Sequence, residues 1–207
     1  DATAAEIVAL GGKTPLVLKA NVGDPDKVKA LFEDIQQHYS HLDILVSNAA
    51  SGVLKPTLEL TPRHLQWCLE INAYALVYLA QAAVPMMNTG GKIIALSSAG
   101  ATHAIPNYAA VGASKAALES IVRHLSAELA PQGIQVNTLS AGVVDTDALS
   151  HFPNRDSLLA TSAENTPAGR LTLPEDVADV ALFLCSKLSD MVQGQTLVVD
   201  GGYSALS

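Results

Sequence analysis

Two cysteines, Cys68 and Cys185, are all that the 207 residues carry, with no CxxC pair and no nearby Cys/His cluster. That scarcity excludes a disulfide framework and points to a reducing, cytoplasmic setting. The six histidines, His38, His41, His64, His103, His124 and His151, show no ligand spacing, so no metal is expected. Basic charge is also scarce: 12 Lys plus Arg face 20 Asp plus Glu, a formal charge of −8. A surface that follows a phosphate backbone needs the opposite sign, which makes nucleic acid an unexpected partner. The most apolar stretch, residues 73–87, is broken by Gln81 and Pro85 and is shorter than a bilayer span, so no membrane is expected either. Neither a basic nor an apolar signal region follows Asp1.

What is present is an aliphatic, globular composition, 49% hydrophobic and only 4% aromatic, long enough for one domain with a full core. Short β-branched runs alternate with longer amphipathic stretches, the pattern of a doubly wound α/β fold with a parallel sheet. Strands are expected at 16–19, 42–47, 92–97, 135–139 and 196–199. Asp24-Pro25 and Thr61-Pro62 are cap and first-turn pairs that open helices, the second expected to run to about residue 87. A further helix follows Asn107, and Pro174 opens another. The polar segment 141–170 is too long for a simple connection and is expected to be a substrate lid. Asn21, Asn48, Ser97, Ser98, Ala141 and Gly142 all fall just past strand ends, where ligands bind in open α/β sheets.

Asn48-Ala49-Ala50, Ser97-Ser98, Tyr108 with Lys115, Ala141 to Thr146 and Asp200-Gly201-Gly202 together resemble the short-chain dehydrogenase/reductase family from end to end. Ordinary members carry Tyr-x-x-x-Lys, whereas here that tyrosine position holds Val111 and Tyr108 precedes Lys115 by seven residues. This resembles the Tyr-x6-Lys of the family's enoyl-acyl-carrier-protein reductases, in particular the NADPH-using type. Ala104 to Tyr108 and Ser140-Ala141-Gly142 are similar to the same group. The displacement has a chemical meaning. In a ketone, hydride lands on the carbon that bears the oxygen, but in an enoyl thioester it lands on the β-carbon, so the acid must stand elsewhere.

The resemblance implies reduction of an enoyl thioester, carried on acyl carrier protein or coenzyme A, by NADPH, with NADH also open, in fatty-acid elongation. It implies Tyr108 as acid or oxyanion donor, Lys115 as holder of the nicotinamide ribose, and Ser98, in the slot where many enoyl reductases have a second tyrosine, as either a second donor or a loop cap. Cofactor contacts are expected from Asn21, Val22, Asn48, Ala49, Ala50, Ser97, Tyr108, Lys115, Gly142, Val144 and Thr146. Asn72 matches the asparagine that anchors a water relay in ordinary members. The apolar helices at 76–87 and 118–129 have more apolar surface than one sheet face covers, and since such helices pair between subunits in this family, the resemblance implies a homotetramer. The family's first two strands and glycine-rich turn have no counterpart in these residues, so the single Rossmann-type domain is expected to be N-terminally incomplete, the natural chain longer, and the strand 16–19 isolated. Carrier docking would need a basic patch, for which Arg155, Arg170 and Lys187 are candidates. The alternatives are a reductase of enoyl-coenzyme A or 3-oxoacyl thioesters, and a catalytically silent, cofactor-free scaffold.

Overall fold

The structure, a computed structural model, describes residues 2–146 and 155–206. In chain order the elements are α1 (Ala2–Ala9), α2 (Pro25–His38), β1 (Leu42–Ser47), α3 (Pro62–Leu69), α4 (Ala75–Ala83), β2 (Met87–Ser98), α5 (Ala109–Leu129), β3 (Gln135–Ala141), α6 (Arg155–Asn165), α7 (Pro174–Cys185) and β4 (Thr196–Val199). The four strands form one parallel sheet in the order β1-β2-β3-β4. Successive side chains on β2 point to opposite faces, and both faces are covered. Ile93 and Ala95 pack with Leu76, Ala80, Leu118 and Val122 of α4 and α5, while Ile94 packs with Leu139 and Leu184, the last on α7. This double covering explains why β2 reads as a continuous apolar run rather than an alternating one.

The predicted caps form. Asp24 accepts from the N–H groups of Asp26 and Lys27, and Thr61 and His64 make a reciprocal capping box at the start of α3. The helix expected to run unbroken from Thr61 to residue 87 is divided instead: a π-turn, Glu70–Tyr74, separates α3 from α4, and a 3-10 turn, Val84–Met86, ends the run. The π-turn re-aims Asn72, whose amide then makes three hydrogen bonds described below. Counted as one helical run, Pro62–Met86 is 25 residues, longer than the apolar stretch singled out in the sequence and sufficient in length and composition to cross a membrane. Yet 44% of its most apolar window is buried inside this domain, where Leu79 and Ala83 pack on α2 and Leu76 on α5.

One expected strand does not form. Residues 16–19 lie outside the sheet, and Leu16, Val17 and Leu18 are 36%, 59% and 37% exposed. A strand is stabilised by its ladder, and the described residues offer this run no partner. Strand β2 begins earlier than expected, at Met87, because its first residue pairs with Leu42 across an irregular register before the regular ladder starts at Ile44 and Lys92.

Candidate active site

Beyond the carboxyl ends of the strands lies a cavity of about 970 Å³. Val46, Leu96 and Leu139 supply its apolar floor, Ser98 and Tyr108 a row of hydroxyls, and Gly142, Val143 and Val144 a backbone wall. Leu158 and Ser162 of α6 close one side, with Thr146 and Asp200 at the margin.

Tyr108 is held there by its neighbours. It caps α5 rather than lying within it, with φ −109° and ψ 6°. Asn107, immediately before it, adopts a left-handed φ of 62°, a conformation that asparagine tolerates better than most residues, and its carbonyl accepts the N–H of Lys55. Gly100 completes the fit. A Cβ there would stand 2.5 Å from Cε1 of the Tyr108 ring, so the ring occupies space that only glycine leaves open. Gly112 has the same function for the helix, since its Cβ would meet the Gly100 carbonyl oxygen at 2.5 Å. The result places Tyr108 OH 3.4 Å from Ser98 Oγ. Ser98 Oγ also accepts the Gly100 N–H at 3.2 Å, so the hydroxyl is both loop cap and neighbour of the phenol.

Lys115 stands behind the cavity wall. Its ammonium donates to the Leu96 carbonyl at 2.6 Å, and the residue is only 6% exposed. Burial lowers its pKa from 10.5 to about 8, because taking an ammonium out of water disfavours the charged form. Ser97 does not offer its hydroxyl to the cavity: that group donates to Glu119 Oε1 at 2.6 Å, leaving the cavity only its backbone. Asp200 is subject to opposing effects. Burial would raise its pKa, but hydrogen bonds from Ser204 and Gly202 prevail and hold it below the usual carboxylate range.

The remaining expected residues divide. Asn48, Gly142, Val144 and Thr146 line the cavity; Asn21, Val22, Ala49 and Ala50 do not. Asn21 accepts the Gly23 N–H in a local turn, and Val22 packs on the cluster of Val28 and Phe32. Ala49 and Ala50 are exposed on the turn after β1. That turn is clamped from below. The Asn72 amide accepts the Ser51 N–H at 2.8 Å and donates to the Ser51 carbonyl at 2.8 Å and to Ser114 Oγ at 2.9 Å, while Trp67 Nε1 donates to Ser51 Oγ at 2.6 Å. Val111 is 6% exposed and packs with Cys68 and Ala110 in a cluster against which Tyr108 also packs.

The expected basic patch is largely neutralised. Arg155 donates to Asp145 at 2.6 Å and to Asp156 at 3.1 Å, and both guanidinium nitrogens of Arg170 meet Asp176. Aspartates close in sequence or space pair these arginines, and sequence spacing alone did not reveal the partners. Of the lid segment, residues 147–154 lie outside the described residues. Among the described residues no three His, Cys, Asp or Glu side chains come together as metal ligands would. Sequence reasoning missed Gly100, Asn107, Gly112 and Glu119. A glycine at each end of the Ser98 to Gly112 segment was the available signal for the first and third.

A family model described as Enoyl-(Acyl carrier protein) reductase matches residues 1–204. The chain belongs to that family, within the short-chain dehydrogenases/reductases. It is 39% identical over 207 residues to a 1-cyclohexenylcarbonyl-CoA reductase of Streptomyces collinus, covering 99% of this chain and 74% of the relative. An enoyl-[acyl-carrier-protein] reductase [NADH] of Synechocystis sp. is 37% identical over 195 residues, covering 92% of this chain and 76% of the relative. The solved enoyl-acyl carrier protein reductase of Bacillus cereus, with NADP+ and indole naphthyridinone, superposes with a TM-score of 0.94 at 31% identity, covering 99% of this chain and 81% of the other. Membership supports enoyl reduction as the family chemistry, and the named relatives divide between NADH and NADP+.

Proposed function

We propose that this reductase transfers hydride from NADPH to the β-carbon of a 2-enoyl thioester, with Tyr108 and Ser98 together receiving the charge that develops on the thioester oxygen. The observation that carries the reading is the pair of hydroxyls 3.4 Å apart at the cavity wall, with Val111 in the ordinary tyrosine position. Val111 cannot donate a proton, so ketone reduction of the ordinary kind lacks its acid.

The residues present fit the nicotinamide end of a dinucleotide. The apolar floor suits a flat ring, and the Gly142 to Val144 backbone provides polar atoms at its edge. Asn48, Gly142, Val144 and Thr146 would hold that end. Lys115 has three N–H donors and gives one to Leu96, leaving two for ribose hydroxyls. A reduced nicotinamide, when bound, supplies the hydride.

As the β-carbon accepts that pair of electrons, the double-bond electrons move toward the carbonyl and negative charge gathers on the thioester oxygen. Tyr108 donates a hydrogen bond to that oxygen, and Ser98 supplies a second donor. Two preorganised donors in an apolar cavity stabilise an enolate more than water does, because they need no reorganisation as charge appears. A proton drawn from solvent at the α-carbon as the site reopens then completes the saturated thioester. The segment 141–170 serves as a lid that excludes water, through α6. The exposed groove between α4 and α5, formed by Tyr74, Val77, Ala117, Ile121 and Leu125, packs against a second subunit in a homotetramer.

The 39% identical coenzyme A relative gives the second reading its support: the carrier is coenzyme A rather than acyl carrier protein. Oxidation of NADPH and NADH is measured with crotonyl groups on each carrier, beside 3-oxoacyl thioesters. Turnover of the enoyl substrate with NADPH preferred is expected. Turnover of 3-oxoacyl substrates alone would overturn the reading.

A further inference from the structure

Lys115, Glu119, Val122 and Ser126 recur along one stripe of α5, and all four are buried. Lys115 has its place in the proposed reaction and Val122 belongs to the core. Glu119 has neither explanation. It is 9% exposed, beside Leu118 and Val122 on its own helix and above the β2 face that carries Ile93 and Ala95. Burying a carboxyl group costs its hydration, which one hydrogen bond returns only in part, and an aliphatic side chain of similar size would fill the same space without that cost.

Its hydrogen bond to Ser97 shows what it does. Three consecutive residues at the end of β2 are each joined to α5 or its cap. The Leu96 carbonyl accepts from Lys115 Nζ at 2.6 Å, Ser97 Oγ donates to Glu119 Oε1 at 2.6 Å, and Ser98 Oγ lies 3.4 Å from Tyr108 OH. The outer two contacts contain groups that meet cofactor or substrate in the proposed reaction. The middle one does not, because the Ser97 hydroxyl is turned toward the helix. Side chains on a strand alternate, so fixing Ser97 on the helix side fixes the direction of Ser98 on the other.

We propose that Glu119 is a positioning residue: its carboxyl group clamps Ser97 and so holds the end of β2 against α5 in the register that keeps Ser98 facing Tyr108. The kinetic part of this inference rests on the enoyl-reductase reading; the geometric part does not.

The test compares Glu119→Gln, which keeps the acceptor, with Glu119→Leu, which fills the volume without one, and with Ser97→Ala. Each is examined by thermal unfolding, by kcat and KM with crotonyl thioester, and by amide hydrogen exchange across residues 96–102. Glu119→Gln should stay within twofold in kcat. Glu119→Leu and Ser97→Ala should remain folded, lose at least tenfold in kcat with KM changed less than threefold, and exchange at least tenfold faster at 98–100 while 92–95 stay unchanged. The double variant should be no worse than either single one. The clamp is overturned if Glu119→Leu keeps its kcat and its exchange pattern, if Glu119→Gln falls as far as Glu119→Leu, or if the losses simply follow the unfolding temperature. Should the unsubstituted protein reduce no enoyl thioester, the functional reading fails, and the exchange comparison alone decides the clamp.

Discussion

Tyr108 OH and Ser98 Oγ stand 3.4 Å apart although the two residues belong to a helix cap and a strand end, and what lets them meet is a residue with no side chain. Gly100 lies under the phenol ring at a distance where a methyl group would overlap it.

Gly100→Ala therefore tests the pairing without removing either hydroxyl, the new Cβ standing 3.4 Å from Ser98 Oγ, an ordinary contact. The added Cβ would meet the ring at 2.5 Å, and the ring, being a side chain, can swing away at modest cost in stability. The fold should survive, while kcat with an enoyl thioester should fall by about tenfold or more, in line with loss of one preorganised donor. Steady-state kinetics beside a thermal melt check this; unchanged kcat would mean that the phenol position is not decisive.

The shifted tyrosine makes a paired prediction. Tyr108→Phe should lower kcat by at least about tenfold with little change in KM, since the lost bond matters most as charge develops. Adding Val111→Tyr, which restores the ordinary spacing to Lys115, should not recover activity. Val111 is buried against Cys68 and Ala110, and its Cγ2 lies 3.0 Å from where a Cβ on Gly52 would be. A tyrosine there overpacks the site, at a cost of about 1–3 kcal/mol. Recovery of enoyl reduction in the double variant would show that the spacing does not decide the chemistry.

Lys115 gives a pH dependence of definite sign. Between pH about 8 and 10.5 the unfolded chain holds the lysine proton and the folded chain does not. Stability from this group therefore rises with pH across that window, and below it the buried ammonium is a net cost, on the order of 3 kcal/mol before its bond to Leu96 is counted. Lys115→Met should raise urea resistance at pH 7 and flatten the rise toward pH 10. Activity should show the opposite trend. The ammonium is the binding form, so kcat/KM should decline as pH passes about 8, and nucleotide binding by the Met variant should be weakened at every pH.

Much of this fold was legible because its signals are local. Asp24-Pro25 and Thr61-Pro62 mark helix starts through caps that need no tertiary partner, and the apolar run of β2 shows burial on both faces. The run 16–19, Leu-Val-Leu-Lys, has the apolar composition of a buried strand, but it was expected to be isolated, and without a neighbouring ladder among the described residues it forms none. The site divided in the same way. Tyr108, Ser98 and Lys115 were visible as residue types at a spacing, whereas Gly100, Asn107 and Glu119 act through tertiary contacts, with Tyr108, Lys55 and Ser97 respectively, which spacing does not encode. Asn72 was visible as a residue, with its role left open by the displaced tyrosine. Its amide is engaged with Ser51 and Ser114, which makes it a brace for the turn after β1.

Carrier recognition supplies the last prediction. Arg155 opens α6 and Arg170 precedes α7, and in a chain of formal charge −8 they looked suited to an acidic carrier protein. Each is already paired, Arg155 with Asp145 and Asp156, Arg170 with Asp176, so the field they present outward is that of an ion pair rather than of a free cation. These pairs are solvent-exposed, where screening reduces their reach further. Neutralising both, Arg155→Gln with Arg170→Gln, should therefore leave the ratio of KM for carrier-protein-bound to coenzyme-A-bound crotonyl within about twofold. Neutralising the aspartates instead, Asp145→Asn and Asp156→Asn with Asp176→Asn, should free both guanidinium groups and lower KM for the acidic carrier at low ionic strength, an effect that about 0.5 M salt, with a Debye length of only a few ångströms, should abolish. A selective rise in KM for the carrier-bound substrate in the arginine variant would show that the guanidinium groups reach the carrier despite their partners.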